Sequence, residues 1–183
     1  MKIICISGQG GVGKDTFVNF CGSEETGIYN VSMIDPVKKI ATIVGWTGSK
    51  DLRDRRFLSD LKDLLSDYDD YPFKNVLNSI DQIIRNHEWY KWSTSFSHEL
   101  IIFVHSRELE DLQRWRFQYG ARSLLIRREE VEGNYGNHSD DQVFDIEYDY
   151  EIKNNGDLNH LRKEADSFIK KIREEKWSSN IWK

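Results

Sequence analysis

The sequence of 183 residues contains only two cysteines and two prolines, and no apolar run approaches the length of a membrane span. A helix needs about 20 apolar residues to cross a bilayer, so the composition argues against a membrane protein. The N-terminus has the pattern of a strand and not that of a signal peptide. Cys5 and Cys21 fall inside a predicted strand and a predicted helix. Each is expected to be a small core residue, and neither a disulfide nor a metal site is indicated.

An excess of basic residues is also missing. The chain has 26 Lys and Arg against 31 Asp and Glu, which gives a net charge of −5. Nucleic-acid binding requires a basic face, so a polynucleotide is not expected as the main partner. Hydrophobic residues make up 38% and charged residues 31%, values typical of a globular protein. Together with reduced cysteines, these values favour a single domain, residues 1–183, in the cytoplasm.

The most informative stretch is residues 8–16, which directly follows the apolar segment 2–7. It nearly matches the phosphate-binding pattern G-x-x-x-x-G-K-[ST], in which backbone N–H groups surround a phosphate and the lysine, here Lys14, adds a point charge. The expected phosphate-binding residues are Gly8, Gly10, Gly11, Val12, Gly13, Lys14, Asp15 and Thr16. A strand, a glycine-rich turn and a helix in this order predict a site for nucleotide phosphates.

One residue departs from that pattern. Asp15 follows Lys14 where a serine or threonine hydroxyl normally contacts Mg²⁺. A carboxylate is also a hard oxygen ligand, so Asp15 is a candidate metal ligand, directly or through water. Thr16 is the neighbouring candidate, for the metal or for the α-phosphate. The phosphate prediction is not weakened, because it depends on backbone N–H groups and on Lys14.

Five short apolar runs predict strands, and helical patterns lie between them, which indicates an α/β fold with a parallel sheet. The strands are predicted at residues 2–7, 29–33, 100–105, 122–126 and 148–152. The section from about 45 to 97 contains two helical blocks with a break at Pro72. The polar segment from about 129 to 145 is predicted to form a short lid-like loop.

Four charged residues follow predicted strands, at the edge where open α/β sheets bind their ligands. Asp35 is a candidate to accept a hydrogen bond from a substrate hydroxyl or a metal-bound water, or else it only begins a helix. Arg107 is a candidate phosphate clamp, or else an ion-pair partner of a nearby glutamate. Arg127 and Arg128 are candidates to neutralise a transferring phosphoryl group, or else surface partners of the glutamates that follow them.

Three other groups leave alternatives open. An arginine cluster on the first helical block is either a solvated face or the source of one acceptor-phosphate ligand: Arg53, Arg55 and Arg56. An aromatic cluster either packs in the core or at a rim, or stacks on a base: Trp89, Tyr90 and Trp92. The five histidines show no metal-ligand spacing with the cysteines.

Together these motifs resemble the nucleoside monophosphate kinases, and most closely the deoxynucleoside monophosphate kinases found in phages. The matching pieces are the G-K-D-T form of the glycine loop and the segments 34–38, 106–108, 124–128, 137–140 and 148–158. The resemblance implies a three-layer P-loop kinase fold, with helices flanking a five-stranded parallel sheet of order 2-3-1-4-5. It also implies ATP as donor, Mg²⁺ as cofactor, and Asp15 as a normal variant. For a phage protein the compartment would be the host cytoplasm.

The expected function is transfer of the γ-phosphoryl group of ATP to a nucleoside or deoxynucleoside monophosphate. Lys14 would hold the β- and γ-phosphates, the arginines at 107, 127 and 128 would neutralise the transferring group, and Asp35 would position the acceptor. Residues 45–97 would form a helical acceptor-side insertion. Small-molecule substrates are the expected partners, without nucleic acid or membrane, and the sequence is compatible with a homodimer.

Two alternatives stay open. One is a kinase acting on another small acceptor, such as dephospho-coenzyme A. The other is a nucleotide-binding module without turnover. The third predicted strand ends without the Asp that would hold Mg²⁺ in many P-loop proteins, which favours the module. Retention of Lys14 and of several candidate phosphate arginines disfavours it.

Overall fold

The computed structural model describes residues 1–22, 26–49, 51–94, 99–131 and 142–177. Its strands are β1 (Lys2–Ser7), β2 (Thr26–Ser32), β3 (Glu99–His105), β4 (Arg122–Arg127) and β5 (Tyr150–Lys153). Its α-helices are α1 (Lys14–Cys21), α2 (Asp35–Ile43), α3 (Leu52–Asp69), α4 (Tyr71–Thr94), α5 (Leu109–Tyr119) and α6 (Leu158–Glu174). Short 3₁₀ turns occupy Glu129–Val131 and Gln142–Asp145.

All five strands are parallel and lie in the order β2-β3-β1-β4-β5. This confirms the expected α/β fold and strand order. β1 is in the centre, and all six of its residues are buried. Because the strands run in one direction, their carboxyl ends meet at one edge of the sheet. The segments that follow β1, β2 and β3 therefore converge at that edge.

Helices cover both faces of the sheet and make the fold three-layered. Alternate residues of β1 point to opposite faces, as strand geometry requires. Ile4 and Ile6 belong to a core shared with α1 and α6, whereas Ile3 and Cys5 belong to a core shared with α4 and α5. Cys5 and Cys21 are both buried free thiols, as the sequence predicts.

Three strands begin at positions different from those predicted, and β3 differs by only one residue, since it begins at Glu99. β2 begins at Thr26, because its polar first residues pair with β3 although the segment lacks a continuous apolar run. β5 begins at Tyr150, two residues later than predicted. The Asp149 carboxylate accepts hydrogen bonds from the Ser123 backbone N (2.7 Å) and hydroxyl (2.9 Å), so this side chain takes the place of a backbone partner at the start of the strand.

The predicted break between the two helical blocks is confirmed. Asp70 adopts a left-handed conformation with φ 52° between α3 and α4, and Pro72 lies in the first turn of α4. Lys62 is the buried residue of α3, whereas Leu52 and Leu64 are exposed. None of the described helices is both long and apolar enough to cross a membrane.

Part of the predicted lid-like loop, residues 132–141, lies outside the described residues. That part includes segment 137–140, one of the pieces that carry the resemblance. The division of residues 1–183 into one domain with an acceptor-side insertion and a lid therefore stays a prediction.

Candidate active site

Close backbone approaches shape the glycine-rich loop between β1 and α1. Gly8 has φ 137°, and a Cβ added there would lie 2.3 Å from the Ile126 carbonyl oxygen. Gly13 has φ 95°, and its Cβ would lie 2.7 Å from Asn154 Nδ2. Both the left-handed φ values and the lack of space require glycine at these two positions.

The loop ends at a helix start suited to an anion. Gly13 is the N-cap of α1 and has no side chain to cap the helix, and a helix N-terminus of this kind favours an anion. Lys14 Nζ donates to the carbonyl oxygens of Gly8 (2.6 Å) and Gln9 (2.8 Å), which places its charge over the loop. These residues fit the phosphates of a nucleotide.

Asn154, which directly follows β5, holds the glycine loop through its side chain. Its Nδ2 donates to the Val12 carbonyl oxygen (2.8 Å), and its side chain is buried. Its backbone N donates to the Arg127 carbonyl oxygen (2.7 Å). Sequence reasoning gave Asn154 no role. A polar residue directly after β5, at the ligand-binding edge, was the available signal.

A cleft of about 570 Å³ opens beside the loop. Four parts of the chain form it: the phosphate loop, the β2–α2 connection, the end of β3 and one face of α3. Its charged or polar lining includes Lys14, Asp15, Thr16, Asp35, Lys38, Arg55, Lys62, His105, Arg107, Glu108 and Asp111. The structure thus brings Lys14, Asp35 and Arg107 together, as predicted from their places after strands.

Two arginines line this cleft. Arg107 follows β3, and Arg55 approaches from α3. A Cβ added to Gly10 would lie 3.5 Å from Arg55 Nη1, so the guanidinium reaches the phosphate loop itself. Arg53 and Arg56 are exposed, and Arg56 Nε lies 3.8 Å from Asp60. Arg55 therefore lies where an acceptor-phosphate ligand would be needed, whereas Arg53 and Arg56 lie on a solvated face.

Arg127 and Arg128 do not line the cleft in the part of the chain that the structure describes. Arg127 Nη1 lies 3.7 Å from Glu151 Oε1, and its guanidinium stacks 4.7 Å from the Phe144 ring centre. Arg128 donates two hydrogen bonds to Glu130 Oε2, from Nη2 (2.8 Å) and Nε (3.2 Å). Arg128 therefore forms the surface pair offered above as the alternative, whereas the glutamate paired with Arg127 belongs to β5 and does not directly follow it in the sequence. A role of either arginine on the phosphoryl group stays a prediction.

Asp15 and His105 face each other at the base of the cleft. Asp15 Oδ1 accepts a hydrogen bond from Asn30 Nδ2 (3.3 Å) and lies 3.6 Å from His105 Nε2. Burial lowers the pKa of His105 to about 4; the Asp15 carboxylate opposes this shift, and the positive charge of Lys14 adds to it. The imidazole is therefore neutral at pH 7. No group of three or more His, Cys, Asp or Glu among the described residues could hold a metal ion.

A buried ion-pair group joins α3 to the segment after β3. Lys62 Nζ contacts Glu108 Oε2 and lies 3.1 Å from Asp111 Oδ2. Asp111 Oδ2 also lies 3.4 Å from the Ser106 hydroxyl, which donates to it. Burial alone would lower the pKa of Lys62, but the carboxylates of Asp111 and Glu108 outweigh burial and raise it. Lys62 therefore stays charged and holds the α3 wall against the end of β3.

Asp35 borders the cleft, whereas the aromatic cluster of α4 lies away from it. Asp35 begins α2, and its carboxylate lies 3.6 Å from Lys38 Nζ while lining the cleft. Its place at a helix start is confirmed, and a hydrogen bond to a substrate hydroxyl or a metal-bound water stays a prediction. Trp89, Tyr90 and Trp92 are exposed near the end of α4 and do not line the cleft. Their exposure excludes the core alternative, because this end of α4 extends beyond the sheet-facing residues Val76 and Ile80 of the same helix. Packing at a rim stays a prediction.

Comparisons with known proteins assign no family to this chain. No family model matches the chain. A search of curated proteins also finds no match. Among solved structures, the chain is similar to an unliganded sugar kinase from Janibacter sp. HTCC2649, with 17% identity and a TM-score of 0.44. That alignment covers 93% of this chain and 95% of the other. A likeness of this degree says nothing about the activity of this chain.

Proposed function

We propose that the protein is a phosphotransferase that moves the γ-phosphoryl group of ATP to a nucleoside or deoxynucleoside monophosphate. The observation that carries this proposal is the shared cleft. A glycine loop built for phosphates opens into the same space as Arg55, Arg107 and Asp35. Phosphoryl transfer requires mainly positioning and charge neutralisation, and this set of residues supplies both.

On the donor side, backbone N–H groups of the loop and of the first turn of α1 hold the phosphates of ATP. Lys14 neutralises the β- and γ-phosphates from its place over the loop. Asp15 and Thr16 are the residues of this segment that would contribute to a site for Mg²⁺ or another divalent cation, which when bound would supply positive charge to the phosphate oxygens. Asn154 keeps the loop in shape through its bond to Val12.

On the acceptor side, α3 forms the wall and Arg55 and Arg107 provide cations. Both guanidiniums can take a phosphate bidentately. Arg55 reaches Gly10, so it stands where the donor and acceptor phosphates would meet. Asp35 accepts a hydrogen bond from an acceptor hydroxyl or from a metal-bound water. Residues 45–97 thus act as the acceptor-side insertion in this proposal.

The testing experiment is a coupled ADP-release assay over a panel of acceptors. The panel contains the ribo and deoxy forms of the common nucleoside monophosphates, dephospho-coenzyme A, and a reaction without acceptor. We expect kcat/KM to be highest for one or a few monophosphates. Turnover of dephospho-coenzyme A alone would assign a different kinase, and ATP binding without turnover of any acceptor would assign a nucleotide-binding module.

A matched pair of variants tests whether the α3 wall contributes as proposed. Arg55→Ala should lower kcat/KM for the best acceptor by on the order of 10²-fold or more, because it removes a cation next to the reacting phosphates. Arg53→Ala, on the exposed face of the same helix, should leave kcat/KM within about twofold. Equal effects of the two substitutions would contradict the placement of the acceptor.

A further inference from the structure

We infer that the divalent cation of this site is bound through a nitrogen, by His105 Nε2 together with Asp15 Oδ1. The site should then prefer a transition-metal dication such as Mn²⁺ or Co²⁺ to Mg²⁺. This inference rests on the proposed function, because two protein ligands are too few and the remaining ligands would be phosphate oxygens of the nucleotide.

The position of His105 is the first observation. It is the last residue of β3 and is the register partner of Ile6, two residues before the glycine loop. The Ser106 backbone N, just beyond it, donates to the Ile6 carbonyl oxygen (3.2 Å). In P-loop proteins an Asp often holds Mg²⁺ from a strand next to the loop. Here a histidine ends the strand neighbouring β1.

The surroundings of the imidazole are the second observation. The side chain of His105 is 13% exposed, and it lines the cleft. Its Nε2 is buried and accepts or donates no hydrogen bond among the described residues. The only carboxylate paired with it there is Asp15, whose side chain is 83% exposed to the cleft. A buried ring nitrogen directed at a carboxylate is an arrangement that a cation would complete.

The spacing of the two atoms fits one ion. Metal bonds of about 2.1 Å place neighbouring ligand atoms about 3.0 Å apart in an octahedron and about 3.4 Å apart in a tetrahedron. His105 Nε2 and Asp15 Oδ1 are separated by 3.6 Å. A shift of a few tenths of an ångström, within the freedom of the exposed Asp15 side chain, would bring both into range.

The ligand chemistry sets the preference. Mg²⁺ favours oxygen ligands in a near-ideal octahedron, whereas imidazole nitrogens suit later first-row metals. For a site of mixed nitrogen and oxygen ligands, affinity rises from Mn²⁺ to Co²⁺. Lys14 and Arg107 lie close enough to influence His105 electrostatically, and their charge disfavours a cation held by protein alone. Binding of the divalent cation should therefore require bound nucleotide, whose phosphates supply the remaining ligands.

The test uses Mn²⁺ as a spectroscopic probe and needs no turnover. Full-length protein, labelled with ¹⁵N only at histidine, is mixed with Mn²⁺ and ADP, and pulsed EPR reports couplings between the ion and nearby nitrogens. We expect a histidine ¹⁵N coupling in the wild type and none in His105→Gln. His160→Gln, at an exposed histidine of α6, serves as the control and should retain the coupling.

Calorimetry of ADP with each cation provides the second readout. The ratio of Co²⁺-ADP to Mg²⁺-ADP affinity should fall by about tenfold in His105→Gln, and it should fall likewise in His105→Asp, which replaces nitrogen with oxygen. Thermal melting of each variant checks that it is folded. If a variant is unfolded, the presence or absence of the histidine ¹⁵N coupling in the wild-type spectrum still tests the nitrogen ligand.

The outcomes separate this inference from the proposed function. Wild-type protein that binds ADP and Mn²⁺ without a histidine coupling would overturn the nitrogen ligand and leave the phosphotransferase proposal standing. Protein that binds no ADP, with or without any of the three cations, would overturn both. A Co²⁺ to Mg²⁺ affinity ratio unchanged by His105→Gln would also contradict the inference.

Discussion

The phosphate loop and the α3 wall border the same cleft, but backbone shapes the loop and side chains shape the wall. Gly8 and Gly13 hold the loop in left-handed conformations that leave no room for a Cβ. The α3 wall is held by one buried lysine, Lys62, between the carboxylates of Glu108 and Asp111. The form of the loop depends mainly on glycine backbone geometry, with one side-chain support from Asn154, whereas the wall is held by an ion-pair group of three side chains.

This difference explains why one side of the site is recognisable and the other is not. Backbone geometry demands glycine at fixed spacing, which leaves a motif in the sequence. An ion pair between α3 and the end of β3 joins residues 46 or more positions apart, and many pairs of residue types would serve. Substitutions in the phosphate loop should therefore lower activity most, and substitutions in the α3 wall should lower stability most.

The largest effect is expected on the loop side. Lys14→Ala should lower kcat by on the order of 10⁴-fold, because it removes the charge placed over the phosphates, while the melting temperature should change little. Steady-state rates with ATP and the best acceptor, together with thermal melting, check both statements. Lys170→Ala, at an exposed lysine of α6, is the control. A folded Lys14→Ala variant with an undiminished rate would show that Lys14 does not act on the phosphates of ATP.

The second-largest effect is expected for an arginine inside the cleft, compared with one outside it. Arg107→Ala should lower kcat by on the order of 10³-fold with a much smaller loss of ATP affinity, because a cation placed for the transition state adds little to ground-state binding. Arg128 is paired with Glu130, so Arg128→Ala is the informative comparison. An equally large loss of kcat for Arg128→Ala would place it in the catalytic machinery, as the sequence predicts.

On the wall side, stability should respond more than chemistry. Lys62→Met removes the cation from the buried Asp111 carboxylate and from the partly buried Glu108 carboxylate, and should destabilise the protein by about 3 to 5 kcal/mol in urea unfolding. Lys74→Met is the matched control, since Lys74 pairs with Asp69 at the surface and should contribute at most about 1 kcal/mol. If the two lysines proved equivalent, the buried pair would not be what holds α3.

The smallest effect is expected for Asp15→Ser. ATP should still bind within about tenfold of the wild-type affinity, because the backbone N–H groups and Lys14 are unchanged. The dependence of binding on the divalent cation should change, since one candidate ligand is replaced by a hydroxyl. Calorimetric titration of ATP with and without Mg²⁺ measures both. Failure of wild type and variant alike to bind ATP would contradict the phosphate site.

The sequence predicts the parts of the molecule that local patterns determine. Buried apolar runs mark four of the five strand positions to within about two residues, and the glycine spacing marks the loop. Strand direction then places Asp35 and Arg107 at one edge, which the structure confirms. Strand β2 begins earlier than predicted because its first residues lie at the sheet edge and are not uniformly apolar.

The remaining features depend on contacts between distant segments. Lys62 is the buried residue of α3 because it meets the carboxylates of Glu108 and Asp111, which are distant in sequence. Nothing in the chain distinguishes Arg55 from Arg53 until α3 is placed beside the loop. His105 shows no ligand spacing in sequence, and its proximity to Asp15 arises only because β3 lies next to β1.

The central claim is that the loop and the α3 wall act on one phosphoryl group. The most direct measurement follows the label from ATP labelled with ³²P at the γ-position, incubated with each nucleoside monophosphate. The account predicts that label moves into a nucleoside diphosphate, and that Lys14→Ala and Arg55→Ala each suppress this product. Label that stays in ATP, or enters only inorganic phosphate with every monophosphate, would contradict it.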